Sequence, residues 1–105
     1  MERMRRQSPF LESLLKEAKP LKRNVLLEHA NKDQINAVSE LVLNTLRRKV
    51  PISPVIHSKL KPHKEMLRTL ARRKTSLKRR RELLAHQTGS GFWKGLDGCY
   101  RQCRV

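Results

Sequence analysis

The sequence predicts an all-α fold, a small bundle of three to five short helices with a flexible basic N-terminus and a Gly/aromatic/Cys C-terminal tail. Apolar residues recur at intervals of three and four along most of the chain, the spacing of one helix face. No stretch alternates with the two-residue period of a strand. Ser, Thr and Asn stand just ahead of the apolar runs, twice with proline next to them, as helix starts require. With 37% hydrophobic and 4% aromatic residues in 105, the core must be small and rest on Leu, Val, Ile and Ala.

Residues 1–8 read as a basic arm. Ser8-Pro9 then reads as an N-cap with proline at the first helical position, followed by Phe10, Leu11, Leu14, Leu15 and Ala18. Pro20 ends or resets this helix, and Leu21, Val25, Leu26 and Ala30 form a second short stripe. Asn31 and Gln34 have capping-box spacing ahead of Ile35, Val38, Leu41, Val42, Thr45 and Leu46, the most regular amphipathic run in the chain. That run finishes at Arg47-Arg48-Lys49, cations that suit the negative end of a helix dipole.

Val50-Pro51-Ile52-Ser53-Pro54 breaks the pattern, and its Ser-Pro restarts a helix bearing Val55, Ile56 and Leu60. Pro62 predicts a kink or break before Met66, Leu67, Leu70 and Ala71. Thr75-Ser76 caps a last helix with Leu77, Leu83 and Leu84, which closes a basic helical domain over 9–86. Residues 87–105 carry Gly89, Gly91, Gly95 and Gly98 with the only Trp and Tyr, and read as a linker and tail.

Charge points to function. Between Leu41 and His86 there are fourteen Lys and Arg against two acids, within a formal net charge of +16. So many like charges in a small body call for a polyanionic partner, nucleic acid first. The candidate phosphate contacts are Arg47, Arg48, Lys49, Arg72, Arg73, Lys74, Lys78, Arg79, Arg80 and Arg81, since Arg offers a planar fork to phosphate oxygens and Lys a point charge on a long stem. About eight such contacts on a duplex give a log-log salt slope near −7. Lys78 to Arg81 also suits a nuclear-import signal.

Phe10, Phe92, Trp93 and Tyr100 all lie outside the basic segment, which favours backbone-directed duplex binding over base stacking. No zinc-finger spacing appears, and His29, His57, His63 and His86 show no ligand spacing with Cys99 or Cys103, so neither a metal nor another cofactor is expected. A Cys99–Cys103 disulfide would close only a tiny loop. The acids are few and scattered and no glycine-rich phosphate loop follows a strand, so an enzyme is not expected. The chain has no apolar run near the roughly 20 residues of a membrane span, and Met1 to Arg6 lacks the apolar stretch of a secretory signal, which suggests an intracellular or nuclear protein.

Six ordered segments carry a family resemblance: Pro20-Leu21-Lys22-Arg23, Leu27-Glu28-His29-Ala30-Asn31-Lys32, Leu41-Val42-Leu43-Asn44-Thr45-Leu46, Val50-Pro51-Ile52-Ser53, Leu67-Arg68-Thr69-Leu70-Ala71 and Lys74-Thr75-Ser76-Leu77-Lys78-Arg79-Arg80-Arg81. In this order they resemble the small basic core-like proteins of adenovirus-related elements, the adomaviruses and Polinton-type (Maverick) transposons, over about three quarters of the chain. The resemblance implies a virion or element-encoded core protein located in the host nucleus or the virion. By analogy with adenoviral core and minor capsid proteins it implies DNA packaging, with capsid proteins and a maturation protease as partners. Ser90-Gly91-Phe92-Trp93 and the Cys-containing end depart from that family's glycine-flanked Phe-Leu segment.

Gln87-Thr88-Gly89-Ser90-Gly91 resembles the adenoviral maturation-protease pattern with cleavage between Ser90 and Gly91, but reads more readily as an ordinary flexible linker that matches a short permissive pattern. The leading expectation is a DNA-condensing protein acting by phosphate neutralisation. A capsid-associated adaptor or membrane-active protein that docks through its helical stripes and through Phe92, Trp93 and Leu96, and an RNA- or ribosome-associated protein, stand as alternatives, while the aromatic tail reads at least as well as a segment folded back over the small helical core.

Overall fold

The computed structural model describes residues 2–47, 52–87 and 90–103. Among them run α1 (Glu2–Arg6), α2 (Ser8–Lys16), α3 (Pro20–Glu28), α4 (Lys32–Leu46), α5 (Pro54–Leu60), a 3-10 turn (Lys61–His63), α6 (Lys64–Ala71), α7 (Leu77–Ala85) and α8 (Ser90–Cys103), with no strand. The all-α class is as expected. The helices outnumber the three to five anticipated because the N-terminal arm and the C-terminal tail are helical too, and because prolines at Pro20, Pro54 and Pro62 each start a new segment.

α4 is the central element. Asn31 Oδ1 accepts from the Gln34 backbone N–H and Gln34 Oε1 accepts from the Asn31 N–H, both at 2.8 Å, so the expected capping box is formed. Ile35, Val38, Leu41 and Val42 are fully buried, and α1, α2, α6, α7 and α8 all lean on this helix. Ser53 and Ser76 cap α5 and α7 by accepting the Ile56 and Arg79 N–H groups. The expected break at Pro62 is the 3-10 turn.

Ser8 does not cap α2. Its hydroxyl lies 2.7 Å from Tyr100 Oη, tying the start of α2 to the far end of the chain. The basic arm is α1, held down by Met4, which is buried and accepts a 3.6 Å contact from Asn44 Nδ2. The stripe expected on α3 is rotated: Leu21 and Val25 are 81% and 54% exposed, and the buried residues are Arg23 and Leu27. Arg23 turns inward because its Nη2 donates to the Glu17 carbonyl oxygen at 2.8 Å and its guanidinium lies 4.7 Å from the centre of the Trp93 ring. Burial lowers the Arg23 pKa, and Glu17 partly offsets this.

The largest correction is at the C-terminus. The segment read as linker and tail is α8, whose Phe92, Trp93, Leu96, Cys99 and Tyr100 fall on one helix face and enter the core. Phe92 and Trp93 meet edge to face at 5.1 Å, His63 meets Phe92 at 5.4 Å, and Trp93 Nε1 donates to the Gln87 carbonyl oxygen at 2.6 Å. Gly95 and Gly98 are surfaces for close approach rather than hinges. A Cβ at Gly95 would lie 2.7 Å from Leu60 Cδ2, and one at Gly98 would lie 2.5 Å from Ile56 Cδ1, so only glycine lets α5 and α8 come this near without displacement.

The expectation that Phe92, Trp93 and Leu96 meet a membrane or partner is corrected as well, because they are 1%, 2% and 0% exposed. The Ser90–Gly91 bond sits at the first turn of the helix that carries them. The helices enclose a body of 32 × 28 × 26 Å with a radius of gyration of 12.3 Å, close to the roughly 13 Å of a compact chain this long. No helix among the described residues is long and apolar enough to cross a membrane.

Candidate nucleic-acid interface

The basic run between α6 and α7 is a structured elbow. α6 ends as Arg72 turns extended (φ −67°, ψ 132°). Thr75 Oγ1 then donates to the Thr69 carbonyl oxygen at 2.6 Å, and the Thr75 N–H donates to the Arg72 carbonyl oxygen at 3.2 Å. Ser76 starts α7 one residue later. This turn presents Arg72, Arg73 and Lys74 to solvent from a backbone held by its own hydrogen bonds. Lys78 and Arg79 follow, exposed in the first turn of α7, where the helix dipole is positive and acidic side chains are usual. The first turn of α7 itself carries no acid, so positive potential accumulates there.

The four cations of the Lys78–Arg81 run divide into two kinds. Lys78 and Arg79 project outward, Arg79 with only a loose 4.0 Å approach to Glu82. Arg80 turns inward: its Nη1 donates to Asn36 Oδ1 and its Nη2 to the Arg72 carbonyl oxygen, each at 2.7 Å. Arg81 Nη2 donates to the Ala30 carbonyl oxygen. Arg80 and Arg81 therefore differ from the exposed contacts expected of this run: their guanidinium groups are engaged within the protein and join α7 to α4 and to the end of α3. The helical period dictates the split, since a nine-residue helix packed on one side must turn part of any four-residue run toward its neighbours.

Arg47 is exposed at the end of α4, while Arg48 and Lys49 lie outside the described residues. Four exposed cations not singled out from the sequence, Lys59, Lys61, Lys64 and Arg68, extend the basic surface along α5, the 3-10 turn and α6. Arg68 pairs with exposed Glu65 at 2.8 Å. The density of Lys across 59–64 was the signal that could have found the three lysines. All four Phe, Trp and Tyr side chains are buried.

A cleft of about 460 Å³ opens beside the elbow. One wall is the α4 face bearing Lys32, Asn36, Ser39, Glu40 and Leu43, and the other is formed by Ala71, Arg73, Thr75, Leu77 and Arg80. Arg3 of α1 reaches its edge. Burial lowers the Arg80 pKa, and the nearby Arg3 charge lowers it further.

No family model matches this chain, and no curated protein or solved structure matches it either. The interface thus stands on its own chemistry. Exposed cations are fixed on a helix–turn–helix edge, a neighbouring cleft gathers further positive charge, and no aromatic platform is available for unpaired bases.

Proposed function

We propose that this protein binds DNA along the sugar–phosphate backbone without strong sequence preference and helps condense or package a genome, as a core protein of a virion or mobile element acting in the host nucleus. The observation that carries the reading is the α6–α7 elbow, where Arg72, Arg73, Lys74, Lys78 and Arg79 stand exposed on a hydrogen-bonded turn. Phosphates attached there would relieve the mutual repulsion of a +16 chain and satisfy the uncompensated positive end of α7. Burial of every Phe, Trp and Tyr ring favours backbone contact over stacking on single strands. It also removes the basis for an adaptor or membrane-active protein working through Phe92 and Trp93.

The test is competition between two unrelated 20-base-pair duplexes and a structured RNA, repeated across a salt series. Equal affinity for the duplexes, a steep salt dependence and no advantage for RNA are expected. Strong discrimination between the duplexes, tighter RNA binding, or indifference to salt would overturn the proposal.

A further inference from the structure

The cleft beside the elbow is more selective than a basic surface. Arg3, Lys32, Arg73 and Arg80 line it against one carboxylate, Glu40. The Arg80 guanidinium is held by Asn36 and the Arg72 carbonyl, so its charge is fixed in the wall before any ligand arrives. Ser39 also lines the cleft; it is 8% exposed, and its Oγ has no hydrogen-bond partner among the described residues. An orphan hydroxyl at that depth costs stability unless something reaches it.

The volume of about 460 Å³ falls within the roughly 300–1,000 Å³ of small-molecule clefts. It exceeds the need of a single phosphate, and Leu43, Ala71 and Leu77 give part of the wall an apolar surface. A backbone phosphodiester bears one negative charge, whereas four cations around one carboxylate favour a group bearing two or more.

We infer that this cleft is a discrete seat for a phosphate group carrying two or more negative charges, a terminal phosphomonoester or a polyphosphate, with Arg3, Lys32, Arg73 and Arg80 as its cations and the Ser39 hydroxyl as a donor on its floor. The repulsion between Arg3 and Arg80 is what such an anion would relieve. This chemistry can come from the phosphorylated end of a nucleic-acid strand or from a free nucleotide. The assignment goes beyond duplex binding and does not depend on it.

The experiment titrates inorganic pyrophosphate into the full chain by calorimetry, with backbone amide NMR shifts as a second readout. Saturable one-to-one binding is expected, with shifts centred on Asn36, Ser39 and Thr75. Lys32→Gln, an exposed change that leaves the core intact, is expected to weaken binding about tenfold, the value of one charge-assisted contact. Ser39→Ala should also weaken binding, whereas a hydroxyl with no ligand role would leave affinity unchanged. Lys94→Gln removes the same charge elsewhere on the surface and should have little effect.

ATP, and a 12-nucleotide strand with either a 5′-phosphate or a 5′-hydroxyl, then separate the sources. Preference for the phosphorylated strand assigns the seat to strand ends, and saturable ATP binding without that preference assigns it to free nucleotides. Absence of saturable pyrophosphate binding, or equal losses for Lys32→Gln and Lys94→Gln, overturns the assignment. Duplex binding that persists in that case confines the failure to the cleft.

Discussion

Replacing Arg72, Arg73 and Lys74 together with glutamine removes three exposed cations from the elbow while leaving the backbone bonds of the turn in place. Six exposed cations belong to this edge: Arg68, Arg72, Arg73, Lys74, Lys78 and Arg79. If each neutralises one duplex phosphate, the log-log salt slope is about −5, and affinity falls about a thousandfold between 50 and 200 mM salt. The triple variant keeps three contacts, for a slope of about −2.7 and a loss of only about fortyfold over the same range. Its stability should stay within about 0.5 kcal/mol of the parent, as for exposed substitutions generally.

Fluorescence anisotropy with a labelled duplex at five salt concentrations measures the slope, and thermal melting checks the fold. Arg81→Gln provides the contrast. It strands the Ala30 carbonyl oxygen and should destabilise the protein by about 1–3 kcal/mol with little change in slope. A triple variant with the parental slope, or an Arg81 variant that flattens the slope with no loss of stability, would refute the division of the basic residues into outward and inward kinds.

Trp93→Ala should cost about 3–5 kcal/mol in urea unfolding, because it empties a core position and takes the ring away from buried Arg23. Gly95→Ala gains about 1 kcal/mol of helix propensity but drives a methyl into Leu60, whose Cγ would lie 2.8 Å away, so the net result should be a loss of about 1–2 kcal/mol. Gly98→Ala meets the terminal Cδ1 of Ile56, which is only partly buried where Leu60 is buried, and should cost less than Gly95→Ala. Cys99 is buried, and burial raises its thiol pKa despite a hydrogen bond with Thr45. The folded state therefore favours the neutral thiol: this contribution to stability is complete below the unfolded thiol's pKa of about 8.5 and declines as pH rises above it. In a Cys103→Ser background, thiol labelling at pH 8 should proceed at the rate of unfolding, measured by adding reagent across a urea series.

Local chemistry was legible wherever a short stretch of chain settles its own structure. Asn31 with Gln34, Ser53 with Pro54, and Ser76 ahead of Leu77 specify helix starts through bonds spanning three residues, and each start lies where the spacing predicts. The period-3.6 stripe of α4 indicated both its helix and its buried face. Positive charge, a sum over residues, required no geometry.

Tertiary structure decided what the local signals left open or reported wrongly. Gly91, Gly95 and Gly98 made α8 look like a linker, although Phe92, Trp93, Leu96, Cys99 and Tyr100 already had helical spacing; glycine's meaning changes only when α5 lies against it. Arg23 belongs to the core because Trp93 and the Glu17 carbonyl, distant or non-periodic in sequence, converge on it. The same holds for the exposed basic residues. The sequence by itself determined that the protein is helical and strongly basic, since both follow from nearest-neighbour spacing and composition. Which cations face outward, and that Arg3, Lys32, Ser39 and Arg80 share one cleft, only the folded chain decided, because helix packing sets the direction of each side chain and brings together residues from opposite ends of the sequence.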